Sequence, residues 1–152
     1  VTQPTQSNDE TIFALVGGAE TFQRLVDRFY GRVEADVLLR PMFPDDLAPG
    51  KQAQLLFLMQ FFGGGNAYSV ERGHPRLRMR HFPFAIDREA RARWLGHMLA
   101  AIDEVGIEEP MRGVMVEYFE RGSLHMINRD DPSDLSADLI QPSTHPTTNE
   151  AP

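Results

Sequence analysis

Between Ala19 and Ala35 the apolar residues stand at Phe22, Leu25, Val26, Phe29, Tyr30 and Val33. That three-and-four spacing lines up one face of a helix, and no stretch of the chain alternates with the period of two that a strand requires. The pattern predicts an all-α fold. A short helix over Thr11 to Val16 stops at Gly17-Gly18, which supply a left-handed helix end. Prolines 41, 44 and 49 make the stretch from Leu38 to Pro49 an irregular bend. A helix from Gly50 to Phe62, nearly all apolar after Leu55, is expected to be buried on most sides. Gly63-Gly64-Gly65 then opens a loop running through Gly73. A short helix over Pro75 to His81 is expected to start with Pro75 at its first position. Asp87 is a candidate N-cap for a helix through Trp94, Met98, Ala101, Ile102 and Val105. A last helix runs from Glu109 or Pro110 to Ile127.

These 152 residues suffice for one domain with one core. The organisation expected is a loose segment over 1–10, a folded core over 11–129 and a largely disordered tail over 130–152. That tail is rich in Pro, Ser, Thr and Asp, and within it Ser133 to Ile140 could form one docking turn, though little in the pattern demands it. The net charge of −7 argues against nucleic acid as a partner. Without cysteine there are no disulfides, thiolate ligands, iron–sulfur clusters or cysteine nucleophile. No apolar run is long enough to cross a membrane, and Val1 to Glu10 is too polar for a signal peptide. A cytoplasmic protein is expected.

The segment from Arg72 to Phe84, RGHPRLRMRHFPF, carries the most chemistry. Glycine and proline confine a short turn that ends on His81, and Phe82 and Phe84 offer an apolar wall. A neutral imidazole held this way is a good ligand for iron or a soft metal. No second histidine stands at zinc-like spacing, so a single ligand suits haem, whose porphyrin provides the other four. Met79, two residues away, points elsewhere and reads as packing. His74 reads as a loop residue bonded to backbone or water, His97 and His125 as half-exposed helix residues, and His145 as silent. Arginines 72, 76, 78 and 80 are ordinarily a solvated face, but Arg80 first and Arg78 second are placed to meet propionate carboxylates. Gly50, Gln54, Phe57 and Phe61 share a helical face. Gln54 on that stripe is either near solvent or an amide aimed at a ligand. Tyr30 and Trp94 read equally as plain core residues whose polar ends find a partner.

Taken in order, Gly17-Gly18, Phe29-Tyr30, Phe43-Pro44, Phe61-Phe62-Gly63-Gly64, Tyr68-Ser69, Arg72 through His81 and Trp94-Leu95 resemble the truncated haemoglobins of group II. The resemblance runs from about Thr11 to Ile127, and Trp94 separates group II from group I. It implies a two-over-two helical sandwich around haem b, in which the helix before the proximal histidine is reduced to a loop, here Gly63 to His74. By the same resemblance His81 is the proximal iron ligand and Tyr30 faces the bound gas. Phe43 wedges against the porphyrin, Trp94 donates its indole N–H, and Gln54 is a further distal donor. Gly50 takes the distal gate position, Phe57 joins the cofactor contacts, and Tyr68 and Lys51 reach the propionates.

The function so implied is binding of O₂, CO or NO at a five-coordinate iron. Slow O₂ release and redox chemistry on nitric oxide or peroxide are expected, with an unidentified reductase as partner and a monomer or homodimer as the assembly. Two other readings stand beside it: an O₂ storage or sensing module without turnover, and a haem-free helical interaction domain.

Overall fold

Helix α2 (Gly18–Glu34) buries the residues that its periodicity marks: Phe22, Leu25, Val26, Phe29 and Val33 have no solvent exposure. It follows α1 (Ile12–Leu15), which Thr11 caps by accepting the amide of Ala14 at 3.1 Å. Gly17 joins the two with a φ of 113°, and a Cβ there would lie 2.4 Å from the Thr21 hydroxyl oxygen. That hydroxyl donates to the Val16 carbonyl at 2.8 Å, closing the turn. The chain is described from a computed structural model over residues 11–129; the expectations for 1–10 and 130–152 fall outside the described residues.

After α2 comes a single 3₁₀ turn (Arg40–Met42), then α3 (Ala48–Phe61), α4 (Ala67–Arg72), α5 (Leu77–His81), α6 (Arg88–Glu104) and α7 (Met111–Met126). Among the described residues there is no strand. Helix α2 packs on both α3 and α6, and α6 packs on α7, so two helix pairs lie across one another around a shared core. This is the two-over-two arrangement. Asp87 caps α6 as its sequence position predicts, accepting the Ala90 amide at 2.8 Å.

Three local expectations change. Helix α3 is not buried on most sides: only Leu55 and Leu58 are, because the face bearing Gly50, Gln54 and Phe57 looks into a cavity. The stretch from Gly63 to Gly73 is not wholly a loop, since α4 occupies its second half. The Gln60 side chain holds α4 in place, accepting the Ser69 amide at 2.9 Å and donating to the Ser69 hydroxyl at 2.7 Å. Pro75 does not begin α5. Arg76 adopts a left-handed φ of 43° and donates its amide to His74 Nδ1 at 3.1 Å, so the helix starts at Leu77.

Asp36, at the end of α2, fastens the architecture. One carboxylate oxygen accepts the amides of Leu38 and Leu39 at 2.9 and 3.1 Å and the Arg93 guanidinium at 3.2 Å. The other lies 2.7 Å from His97 Nε2. The side chain is buried, and these partners, His97 foremost, hold its pKa down at about 2, against the opposing pull of desolvation. The bend after α2 is thereby tied to α6.

A carboxylate with a lowered folded pKa stabilises the fold above its unfolded value, and the effect fades as pH falls toward the folded value. Asp36→Asn should therefore lower the unfolding free energy at pH 7 by about 1.5–3 kcal/mol, the range for hydrogen bonds to a charged group. In urea titrations monitored by circular dichroism, the gap from the parent should shrink between about pH 3.8 and pH 2. A gap independent of pH would mean that the charge is not what matters.

Candidate functional site

A cavity of about 320 Å³ opens between α2, the bend, α3, α4, α5, α6 and α7. Its walls are mostly apolar: Phe29, Leu39, Met42, Phe43, Phe57, Leu58, Phe84, Ile86 and Phe119 all line it. The polar groups are few and sorted by place. Tyr30 comes from α2, Gln54 from α3 and Trp94 from α6; Tyr68 and Arg72 on α4 line it together with Arg80 and His81 on α5.

His81 Nδ1 lies 2.6 Å from the carbonyl of Leu77, one turn back along α5. A carbonyl can only accept, so Nδ1 carries the proton and Nε2 keeps a free lone pair. This is how proteins orient an imidazole that binds a metal through its other nitrogen. The carbonyl of His81 accepts the Asn128 side-chain amide at 3.1 Å, which pins the helix end from the far side of the chain.

Across the cavity Tyr30 is nearly buried, and burial pushes its phenol up to about 12, so it remains a donor at neutral pH. Its ring meets Phe29 and Phe43 edge-on, with centroids 5.5 and 6.0 Å away. Gly50 makes room for it: a Cβ at that position would lie 3.0 Å from the phenol oxygen. Trp94 packs edge-on against Phe29 at 5.1 Å. The Gln54 amide oxygen is buried and, among the described residues, meets no hydrogen-bond donor. Buried polar atoms are ordinarily paired, so an orphan facing a cavity points to a ligand that supplies the partner.

Three of the residues singled out from the sequence sit elsewhere. Lys51 pairs with Asp27 at 3.0 Å and does not line the cavity. Arg78 donates to the His125 carbonyl at 2.8 Å and lies over the Phe82 ring. Phe61 turns away from the shared stripe to stack on Tyr118, with centroids 4.0 Å apart. Arg80 lines the cavity, donates to the Arg72 carbonyl at 3.4 Å and lies over the Tyr68 ring. Arg72, Arg91 and Tyr118 also line the cavity and were not expected there. The arginine pattern offered Arg72, but nothing local to Arg91 or Tyr118 showed that long-range packing would turn them inward. Arg91 is held by the Ser123 hydroxyl at 3.0 Å and the Glu120 carbonyl at 2.8 Å, both on α7.

Among the described residues no three His, Cys, Asp or Glu side chains gather into a metal site. The donor set instead suits a flat, largely apolar group bearing its own metal ligands and acidic substituents. It has one oriented imidazole, aromatic walls and an arginine pair at one edge.

The family model described as bacterial-like globin matches residues 11–128. The chain belongs to that family. Within it, the globin stands with the group II truncated haemoglobins. It is 42% identical over 120 residues to the group 2 truncated hemoglobin YjbI of Bacillus subtilis (strain 168), spanning 79% of this chain and 91% of that protein. The haemoglobin of the thermophilic phototrophic bacterium Chloroflexus aurantiacus is 58% identical, with a TM-score of 0.77 over 78% of this chain and 98% of its own. A truncated haemoglobin from Bacillus subtilis described as oxygen-avid is 40% identical, with a TM-score of 0.75 over 78% of this chain and 100% of its own. Membership brings haem-based binding of small diatomic ligands, and the cavity of this globin fits that group. Among the described residues no helix is long and apolar enough to cross a membrane.

The orphaned amide gives a test that needs no cofactor. Leaving a buried acceptor unpaired costs about 1–3 kcal/mol. Gln54→Leu should stabilise the haem-free globin by about 1 kcal/mol in urea unfolding. A loss of stability would show that the amide has a partner within the protein.

Proposed function

We propose that this globin holds haem b with His81 Nε2 as the protein ligand to iron, and that Tyr30, Gln54 and Trp94 stabilise the small ligand opposite. The observation that carries the reading is the pairing of His81 Nδ1 with the Leu77 carbonyl beside a cavity that also receives those three side chains. Haem, when bound, supplies an iron that takes O₂, CO or NO and exchanges electrons.

How firmly the small ligand is kept depends on the chain's own residues. Tyr30 offers a protonated phenol, Trp94 an indole N–H and Gln54 an amide, all in an apolar cavity where a hydrogen bond to developing negative charge is strengthened. Each contributes about 0.5–1.5 kcal/mol. Two or three acting together therefore slow release by roughly one to three orders of magnitude, since about 1.4 kcal/mol is tenfold. A relative described as oxygen-avid supports that direction. Slow release suits redox chemistry on nitric oxide or peroxide better than bulk delivery, with re-reduction by a cellular donor. Arg80 and Arg72, with Tyr68, face the propionate carboxylates in this reading. The lack of cysteine accords with a reducing cytoplasm.

Absorption spectra of the purified protein, reduced and exposed to CO, decide the first half. A Soret band that shifts with CO in the parent and is lost or altered in His81→Ala is expected; a parent that takes up no haem ends the reading. Stopped-flow O₂ dissociation decides the second half. Tyr30→Phe should release O₂ about tenfold faster, matching the loss of one strong hydrogen bond. An unchanged rate would remove Tyr30 from the ligand's side.

A further inference from the structure

Helix α5, which carries His81, buries none of its own side chains. It rests on α7, and its outward side presents Met79 at 59% exposure and, just beyond its end, Phe82 at 49%. Leu124 on α7 is 56% exposed, next to the His125 whose carbonyl takes Arg78. Beside these lie Arg76 and Arg78, with which no acidic side chain among the described residues pairs. A cationic, apolar patch on a chain of net charge −7 calls for an acidic, apolar cover.

The sequence just beyond the described residues has that composition. Asn128 accepts the Ile86 amide at 2.9 Å and donates to the Phe84 and His81 carbonyls at 2.8 and 3.1 Å. Arg129 donates its amide to the Ile86 carbonyl at 3.1 Å. The described chain therefore ends against the α5–α6 connection, beside the exposed patch. Residues 130–140 read DDPSDLSADLI, with carboxylates at 130, 131, 134 and 138 and no lysine or arginine. Leu135 and Leu139 stand at i and i+4, the spacing at which two side chains share a helical face. Six residues from Arg129 reach about 20 Å, ample for a neighbouring surface. Tethering also raises the local concentration of the segment to about the millimolar range, which no free acidic partner matches.

We infer that residues 133–140 dock on the outer side of α5, with Leu135 and Leu139 over Met79, Phe82 and Leu124 and the Asp134 and Asp138 carboxylates on Arg76 and Arg78. The docked segment buttresses the helix that carries His81 from the side away from the cavity. Arg72 and Arg80 stay with the cavity. The inference does not depend on haem, so it stands or falls apart from the proposed function.

Hydrogen exchange read by mass spectrometry on the full chain tests it. In the parent at low salt, amides 133–140 should exchange about tenfold slower than the same sequence as a free peptide. Leu139→Ser should abolish that protection and loosen 77–84 as well. Arg76→Glu should weaken it, and adding Asp134→Arg to Arg76→Glu should restore it, a rescue that general destabilisation cannot mimic. Free-peptide rates for 133–140 in the parent would overturn the inference. So would protection indifferent to Leu139→Ser and Arg76→Glu, or protection that grows with protein concentration alongside a dimer in sedimentation, which would assign the segment to a second copy.

Discussion

The buried carboxylate of Asp36 joins the end of α2 and the bend that follows it to α6, some sixty residues further along the chain. It ends α2, accepts the amides that open the next bend and takes hydrogen bonds from Arg93 and His97 on α6. Through the bend it positions Leu39, Met42 and Phe43; through α6 it sits within a turn of Trp94. A buried ion with a single partner would be a liability, because desolvation opposes it. Here four donors offset that opposition, and the pKa stays low rather than rising.

Within that frame the cavity is left under-satisfied. Leu39, Phe29 and Phe119 give a well-buried floor, while the Gln54 amide oxygen faces inward unpaired and Gly50 withholds a side chain that would crowd the Tyr30 phenol. A core optimised for stability alone would put leucine at 54. In the proposed function, both features serve a small ligand held beside Tyr30. The imidazole of His81 is oriented by its own helix, through the Leu77 carbonyl, so its geometry depends on how firmly that five-residue helix is held.

Much of this was legible in the residues. The stripe of α2 and the cap at Asp87 come from local spacing and local hydrogen bonding, and the structure has them where the pattern puts them. The stretch after Gly63-Gly64-Gly65 was less legible, because α4 is held by Gln60, nine residues upstream of Ser69. The start of α5 was shifted by a side chain, His74, competing for the backbone amide that a proline-led helix would leave free. At the cavity, Tyr30, Phe43, Gln54, Phe57, Tyr68, Arg80, His81 and Trp94 do meet. Lys51, Arg78 and Phe61 found other partners first: a carboxylate, a carbonyl and an aromatic ring.

The sequence alone determined that the chain is helical, where most helices begin and end, and which histidine stands in a confined turn beside aromatics. Those are consequences of periodicity, capping and backbone restriction, all settled within a few residues. Which side chains share the cavity was decided only by tertiary structure. Arg91 and Tyr118 face it because α7 packs on α6, and Lys51 is absent because Asp27 on α2 lies within reach. A long cationic side chain goes to whichever acceptor the packed helices bring closest, and that distance exists only once the helices have been assembled.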